Sequence, residues 1–211
     1  NRASLSNQSD FSWTLDNLIY YDKEFGKHSV GLTLLQSATG YHYEESSMAA
    51  EGIPLESAKW NALSKENVSL LDEWNSGLIE KQLLSYMFRV NYDYNNKYLL
   101  TVSGRWDGAS QLAEGNKWAF FPSAALGWRL DQEEFLKDVT WLNQLKFRLG
   151  VGVTGNSAID PYQTKGAIVS LYYPFGSALA PGYAASEPLI KDGAVAMANK
   201  NLSWEKTTQY N

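Results

Sequence analysis

The sequence predicts an all-β fold, an antiparallel transmembrane β-barrel segment of about seven strands with long extracellular loops. Three observations predict it. Apolar and polar residues alternate along several stretches, aromatic residues lie at both ends of the apolar faces, and no apolar run is long enough for a membrane-spanning helix. A mean hydropathy of -0.36 agrees with spanning strands, because only every second residue of such a strand faces lipid.

The first predicted hairpin lies near the N-terminus. Residues 10–21 alternate as a strand, Ser29–Thr39 alternates as a second strand, and Asp22–Lys27 forms the turn between them. The next stretch, Tyr43–Gly77, breaks the alternation and is too long for a structureless loop in a compact domain. It is therefore predicted to hold short helices, around Glu56–Lys65 and Val68–Trp74.

The longest alternation runs from Gln82 to Tyr94, and Asn95–Lys97 turns it tightly into a central hairpin. This hairpin, Tyr98–Leu130, has a polar loop at Gly108–Lys117 and an apolar face with aromatic residues at both ends. Folding it sets Trp106 opposite Trp118, and Tyr98 near Leu126 and Trp128. The eight steps from Tyr98 to Trp106, at about 3.3 Å each and a tilt near 40°, span roughly 20 Å, close to the apolar band of an outer-membrane barrel.

The C-terminal third continues the pattern. Asp131–Trp141 is predicted as a helical turn, because Asp131 stands at an N-cap position and Glu134 at the capping-box position. Leu145–Val153 alternates cations with aliphatic residues, so one face must meet water and the other lipid or protein. Asn156–Ser203 is predicted as a loop with a short strand at Ala167–Tyr173, and a last strand begins at Trp204.

Short turns and long loops alternate along the chain. In outer-membrane barrels the short turns face the periplasm and the long loops face outside. The sequence therefore predicts that 22–27, 95–97 and 131–141 are periplasmic and that 43–77, 108–117 and 156–203 are external. By the same parity, the short strand at Ala167–Tyr173 belongs to an external excursion and does not span.

Composition restricts the function. Aromatic residues make up 14% of the chain, with 13 Tyr and 8 Trp, which suits membrane interfaces or carbohydrate-stacking surfaces. The absence of Cys excludes disulfides, and a net charge of -5 without a basic run gives no reason to expect nucleic acid. His28 and His42 lie far apart, and no catalytic triad or phosphate-binding loop can be assembled. We therefore expect no metal site, no cofactor and no enzyme activity.

Five ordered motifs carry a resemblance. They are RVNYDYNNKYLL from Arg89, GRWDGAS from Gly104, FPSAALGWR from Phe121, LKFRLGVGVTGN from Leu145 and NLSWEKTTQYN from Asn201. In this order they resemble the barrel signatures of SusC/RagA-type TonB-dependent outer-membrane transporters. The match covers roughly Leu83–Thr164 and resumes at Asn199, with Gln111-Leu112 in place of the usual Arg-Phe and Lys200 where proline is common.

The resemblance implies a barrel of about 22 strands in the bacterial outer membrane, filled by an N-terminal plug. It implies an energising contact with TonB in the periplasm and a SusD-like surface lipoprotein that helps to capture glycans or peptides. The sequence contains neither plug nor TonB box, begins at Asn1 without a signal peptide and ends at Asn211 inside a predicted strand. We therefore expect residues 1–211 to be part of the barrel domain of a larger protein.

Two groups of side chains are candidates for function. The first group is the polar residues on the predicted inward face of the strands. They are predicted either to contact plug or substrate in the lumen, or to form charge pairs that stabilise the wall. They are Arg89, Asn91, Arg105, Asp107, Arg129, Lys146 and Arg148. Aromatic residues of the outer loops are candidates for stacking on sugar rings or packing on a lid protein, with ordinary loop packing as the alternative. They are Trp60, Trp74, Tyr162, Tyr172, Tyr173 and Tyr183.

A secreted carbohydrate-binding β-sandwich is the competing class, because such a module is also rich in aromatic and acidic residues. A sandwich closes its own core between two sheets and stays soluble without detergent. A wall segment instead depends on lipid and on neighbouring strands of the same chain.

Overall fold

A computed structural model describes residues 2–53, 56–63, 70–136, 139, 141–165, 167–175, 178–187, 189–191, 194–196 and 199–211. Contacts between Cα atoms divide the chain into two units. One unit comprises Asn1–Thr14 and Thr39–Gln82, and the other comprises Leu15–Ala38 and Leu83–Asn211. None of the described helices is long and apolar enough to cross a membrane.

Seven of the described strands form one sheet. They are β1 Arg2–Phe25, β2 His28–Glu51, β3 Leu70–Tyr94, β4 Tyr98–Ala109, β5 Trp118–Arg129, β6 Lys146–Asn156 and β11 Glu205–Tyr210. They lie in the order β1-β2-β3-β4-β5-β6-β11, so neighbouring strands follow each other in the chain until β6, which pairs with β11. The strand pairs from β3 to β6, and the pair of β6 with β11, are antiparallel, which confirms the predicted all-β class.

The central hairpin forms with one change in register. Tyr98 pairs with Trp128, one of the two residues near which the alternation predicts it, and Leu126 pairs with Leu100. Trp106, however, lies opposite Phe120, so its predicted pairing with Trp118 was wrong. The reason is that β4 continues to Ala109 and the loop begins at Ser110, which shifts the pairing by two residues. The Trp106 and Trp118 rings still meet diagonally, with centroids 5.7 Å apart.

The N-terminal strands are longer than predicted. β1 and β2 have 24 residues each, and only Gly26 and Lys27 turn between them, with Gly26 at φ 61°. The helix predicted around Glu56–Lys65 is found as the 3-10 helix Glu56–Ala62. The helix predicted at Val68–Trp74 was wrong where the structure describes it, because β3 already begins at Leu70. The first part of this strand has polar Glu, Ser and Asn residues on both faces, so it lacks the alternation of apolar and polar residues that predicts a strand.

The turn after Tyr94 agrees with the prediction. Asn95 and Asn96 both adopt φ 55°, a left-handed conformation that asparagine tolerates better than most residues. The Asn96 backbone N–H donates to Asp93 Oδ1 at 2.7 Å, and the Lys97 N–H donates to the Tyr94 carbonyl at 3.0 Å. The three-residue turn thus sets Tyr94 directly opposite Tyr98.

The connection between β5 and β6 contains two short 3-10 helices, Leu130–Gln132 and Glu134–Leu136. Its predicted capping box was wrong, because Arg129 occupies the N-cap and makes no side-chain cap bond. Asp131 instead accepts bonds from Arg129 Nη2 at 3.0 Å and Gln132 Nε2 at 2.7 Å. The extended backbone of β5 continues to Arg129 and leaves Asp131 inside the first turn.

The segment between β6 and β11 holds two separate hairpins among its described residues. β7, Ala167–Phe175, pairs with β8, Ala178–Glu187, and β9, Leu189–Lys191, pairs with β10, Ala194–Ala196. Neither hairpin joins the seven-stranded sheet. The strand predicted at Ala167–Tyr173 is therefore part of an excursion, as its parity indicated.

Candidate functional site

Strand register places the predicted polar residues on one side of β3–β6. Directly paired residues share a face, and faces alternate along each strand. Arg89, Ser103, Ser123 and Gly152 form one such row, and Asn91, Thr101, Ala125 and Gly150 form the next. Arg105, Asp107, Arg129, Lys146 and Arg148 follow on the same side, which we call the polar face. The opposite side is the apolar face.

Arg105 forms a closely bonded charge cluster on the polar face. Its Nε donates to both carboxylate oxygens of Asp107, at 2.7 and 2.9 Å, and its Nη2 donates to Ser85 Oγ at 3.0 Å. Asp107 is only 7% exposed and Ser85 only 1%. A buried carboxylate is costly without a partner, so the two bonds from Arg105 offset the cost of burying Asp107. The cluster links β3 to β4 near the 110–117 loop.

The middle of the polar face has small side chains and two exposed cations. Ser103 and Ser123 share a hydrogen bond of 2.7 Å, and Thr101 Oγ1 donates to Asn91 Oδ1 at 3.0 Å. Arg89 and Arg148 are exposed, and neither makes a hydrogen bond or ion pair with another described residue. They therefore differ from Arg105, since their guanidinium groups remain available to bind anionic or polar partners.

Glu133 is the centre of a hydrogen-bonded cluster at the opposite end of the hairpin. Its carboxylate accepts from Tyr98 OH at 2.8 Å, Trp128 Nε1 at 3.0 Å and Lys97 Nζ at 3.2 Å. These donors, led by the Trp128 indole, lower the pKa of Glu133 below its ordinary value. Sequence reasoning missed this residue because it assigned the turn to a capping box built on Asp131.

Arg129 and Lys146 lie at the same end of the polar face, paired across β5 and β6. The Arg129 guanidinium donates to Asp131, and the amide of Gln132 donates to the same carboxylate oxygen. The bond from Gln132, followed by the bond from Arg129, lowers the pKa of Asp131. Arg105 and Arg129 thus each bind a neighbouring carboxylate, which is the arrangement that the wall-stabilising interpretation predicts.

The apolar face of β3–β6 carries two rows of large rings. One row joins Tyr94, Tyr98 and Trp128, whose stacked rings have centroids 6.3 and 6.4 Å apart. The other row contains Tyr86, Trp106 and Phe120. Between the two rows the face carries mainly aliphatic residues in β4 and β5, and also Phe88 and Tyr92 in β3. Trp106 is 54% exposed and Leu126 57% exposed, although both are large and apolar. A wide exposed band of this kind requires an apolar environment or a partner.

Loop 110–117 is tied to the two ends of the excursion between β6 and β11. Gln111 Nε2 donates to the Ser157 carbonyl at 2.9 Å, and the Ala113 N–H donates to the Leu202 carbonyl at 3.1 Å. Trp204 Nε1 donates to the Lys117 carbonyl at 2.8 Å, and its ring meets Phe121 edge to face. Leu112, in the same loop, is buried. The excursion therefore begins and ends at fixed points.

The predicted outer aromatic residues lie in different settings. Trp60 belongs to the 3-10 helix Glu56–Ala62 and is 50% exposed, and Tyr162 in the β6–β11 connection is 45% exposed. Trp74, predicted in a loop, lies in β3 and is 72% exposed. The remaining candidates are Tyr172 and Tyr173 in β7 and Tyr183 in β8, and their side chains are outside the described part of the structure.

Among the described residues, neither histidine has enough neighbouring ligand groups to bind a metal ion. His28 Nδ1 is hydrogen-bonded to Tyr92 OH at 2.7 Å, and its ring stacks on Phe25. His42 lies between Glu44 and Glu80, at 3.3 and 3.1 Å. No group of three or more His, Cys, Asp or Glu that could hold a metal ion occurs among the described residues.

A family model and several relatives match most or all of the chain, and all of them are TonB-dependent receptors. The family model described as TonB dependent receptor-like, beta-barrel matches residues 1–211. TonB-dependent receptor P3 of Formosa agariphila is 34% identical over 197 residues, 92% of this chain and 18% of that protein. TonB-dependent receptor SusC of Bacteroides thetaiotaomicron is 40% identical over 162 residues, 72% of this chain and 15% of that protein.

A solved structure has the same fold. The RagAB peptide importer in its open-open state matches with a TM-score of 0.82 at 22% sequence identity, over 99% of this chain and 22% of that chain. The present chain thus spans about a fifth of the length of the relatives it matches.

Proposed function

Because the chain belongs to the TonB-dependent receptor-like β-barrel family, we propose that it forms wall strands of a TonB-dependent nutrient transporter in the bacterial outer membrane. The family membership confirms the resemblance found in the five motifs and makes the alternative of a secreted β-sandwich wrong. The described residues agree, since seven strands form a single sheet and the large side chains of its apolar face are exposed.

The separation of the two faces carries the proposal. The apolar face exposes large aromatic and aliphatic side chains, and the polar face carries charges and small hydroxyl residues. A wall between lipid and an aqueous lumen needs this arrangement, because lipid-facing charges are costly and lumenal ones are not. In this proposal Arg89, Asn91, Arg105, Asp107, Arg129, Lys146 and Arg148 face the lumen.

The domain assignment follows from the family. We assign all of residues 1–211 to the barrel domain, and we assign the plug and the remaining strands to parts of the protein outside this sequence. The energising contact with TonB belongs to those parts. The connections Gly26–Lys27, Asn95–Lys97 and 130–145 follow alternate strands, so in this proposal they face the periplasm, and the connections at the other strand ends face outside.

The proposed substrate is an oligosaccharide or a peptide, captured with the help of a SusD-like surface lipoprotein. Two relatives support this choice: SusC in sequence, and the RagAB peptide importer in fold. The exposed aromatic residues Trp60, Trp74 and Tyr162 are the candidates for contact with substrate or lid whose side chains are described. The role of the segment is transport, and the proposal assigns no chemical step to it.

Uptake by the complete transporter tests the proposal. A host that lacks its own copy should take up a labelled oligosaccharide or peptide when it carries the complete protein, and should lose uptake when the TonB-contacting region is deleted. Replacing Arg89 and Arg148 by Ser should reduce uptake, because both cations face the proposed lumen. The matched control replaces Val90 and Leu149, their neighbours on the apolar face, by Ala. Uptake that persists without the TonB contact would contradict the proposal.

A further inference from the structure

A groove of about 440 Å³ lies on the apolar face. Its apolar lining includes Ile19, Leu34, Tyr86, Phe88, Trp106 and Phe120. The floor is Gly104, where an added Cβ would come within 2.6 Å of the Phe120 ring and 2.7 Å of the Phe88 ring. The two rings therefore lean over the glycine and shape the groove.

Two amide side chains also line this otherwise apolar groove. Asn17 Nδ2 donates to Gln36 Oε1 at 2.6 Å, between β1 and β2. One bond cannot satisfy two carboxamides, since each has a carbonyl oxygen and an NH₂ group. Within the described residues neither amide has another partner, so the pair retains donor and acceptor capacity whichever way the amides are turned. We call it the amide pair.

The amide pair lies at the level of an aromatic row. Both amides line the groove together with Tyr86. Tyr86 belongs to the aromatic row of the apolar face, because it pairs with Trp106 and Trp106 pairs with Phe120. Aromatic rows of spanning strands mark the boundary between hydrocarbon and lipid headgroups. The polar linkages at the heads of the lipid acyl chains lie at that depth, and they can bond to the unused donor and acceptor groups of the amide pair.

We propose that the groove binds one amide-linked acyl chain of lipid A, with the amide pair bound to the linkage. This inference rests on the proposed outer-membrane placement, with the Trp106 row on the external side. The chemistry favours an amide linkage over an ester, because an amide offers both an N–H donor and a carbonyl acceptor whereas an ester offers acceptors only. Lipid A carries amide-linked chains and forms the outer leaflet of such membranes.

A second groove on the apolar face supplies the internal control. It has a volume of about 530 Å³ and is lined by tyrosine, tryptophan, phenylalanine, leucine and glycine, with no amide side chain. Leu100 and Leu126 are among its lining residues. The control groove can hold an acyl chain by apolar contact, but it has no side-chain carboxamide to distinguish an amide linkage from an ester.

Native mass spectrometry of the complete, detergent-purified transporter tests the proposal. The probes are lipid A, a ceramide and a diacyl phosphatidylethanolamine. In the double variant N17L/Q36L we expect lipid A retention to fall about tenfold, the effect of two ordinary hydrogen bonds, with phosphatidylethanolamine retention unchanged. Leucine suits a lipid-facing position, so the variant should fold. The exchanged pair N17Q/Q36N should retain lipid A. The control L100A/L126A keeps the amide pair, so it should lower the retention of all three probes by similar factors.

Three results would overturn the proposal: unchanged lipid A retention in N17L/Q36L, an equal loss of lipid A and phosphatidylethanolamine, or retention of the ceramide in place of lipid A. Substrate uptake is measured on the same variants. The unsubstituted protein could fail to take up substrate while N17L/Q36L still shows a selective loss of lipid A. That result would support the lipid site and contradict the transport function. Normal substrate uptake without any selective loss of lipid A in N17L/Q36L would support the transport function and contradict the lipid site.

Discussion

Adjacent residues along β4 have opposite surroundings. Val102 lies on the apolar face and is 37% exposed, while Ser103 lies on the polar face and shares a hydrogen bond with Ser123. Val102 pairs with Ala124, which pairs with Val151, so its row is aliphatic throughout. In the proposed wall, one step along the chain moves a side chain from lipid to water.

We expect Val102→Lys to lower the free energy of unfolding of the complete barrel by about 2–4 kcal/mol, because it places a charge near the membrane midplane. Ser103→Lys should cost much less, since its side chain faces the lumen. Chemical denaturation in lipid bilayers measures both values. Spin labels at the two positions provide a control, as only the label at position 102 should be accessible to oxygen. Equal costs at the two positions would show that the proposed faces are wrong.

The lowered pKa of Glu133 predicts how the stability of the fold depends on pH. Its pKa is lowered in the folded state, so its contribution to stability is complete above the ordinary value of 4.5 and is lost as the pH falls through the lowered value. Glu133→Gln removes the charge that its three donors bind. We expect the variant to have a lower melting temperature near neutral pH and a shallower loss of stability below pH 4.5.

Glu134→Gln is the matched control for this titration, because Glu134 is the exposed neighbour in the same turn. Its melting temperature should follow the unsubstituted protein at every pH. If the Glu133→Gln variant lost stability in acid as steeply as the unsubstituted protein, Glu133 would not be the group whose titration causes the loss.

The connections between strands are of two kinds. Asn95–Lys97 is a three-residue turn with two left-handed asparagines, stabilised within itself. Loop 110–117 is longer and is bonded to segments far away in the chain, including Ser157 and Leu202. Local turn chemistry predicts the first kind, whereas the second depends on long-range contacts that no turn signature contains.

Topology can be read from epitopes placed in these two connections. Gly115 in the long loop has φ +87°, and a Cβ added there would have no heavy atom within 4 Å, so an insertion has space. An epitope at Gly115 of the complete protein should be stained on intact cells. One at Asn96 should be stained only after permeabilisation, because the short turn is proposed to be periplasmic. The opposite pattern would invert the proposed orientation.

At the scale of the whole sheet, its two outermost strands are β1 and β11. Their outer edges have no strand partner within the described residues, and an unpaired edge presents a row of N–H and C=O groups. In hydrocarbon each such group costs several kcal/mol. The free edges and the exposed apolar face both indicate that this segment needs neighbouring strands.

We therefore expect residues 1–211, expressed alone in water, to aggregate or to require detergent. Size-exclusion chromatography with and without detergent measures this, and the complete protein refolded in detergent is the positive control. A soluble monomer with a cooperative melt would contradict the wall assignment, because a closed core would then have to bury Trp106, Trp118 and Leu126, which are exposed in this fold.

The sequence by itself determined the strands of the central sheet and which residues share a face. Period-two alternation is a local property, so Tyr98, Val102 and Trp128 could be assigned to one side without any tertiary information. The five motifs determined the family for the same reason, since each is a continuous stretch. Alternation missed residues 2–9 of β1 and the parts of β2 and β3 that lie within Tyr43–Gly77, where polar residues on both faces removed the signal.

Only the tertiary structure decided the contacts between distant segments. The pairing of Trp106 depends on where loop 110–117 begins, and that loop is held by Ser157, Leu202 and Trp204. The Glu133 cluster and the amide pair of Asn17 and Gln36 likewise join residues that no local pattern connects. Such bonds depend on the relative register of separate strands, and register is set by the summed packing of the whole sheet.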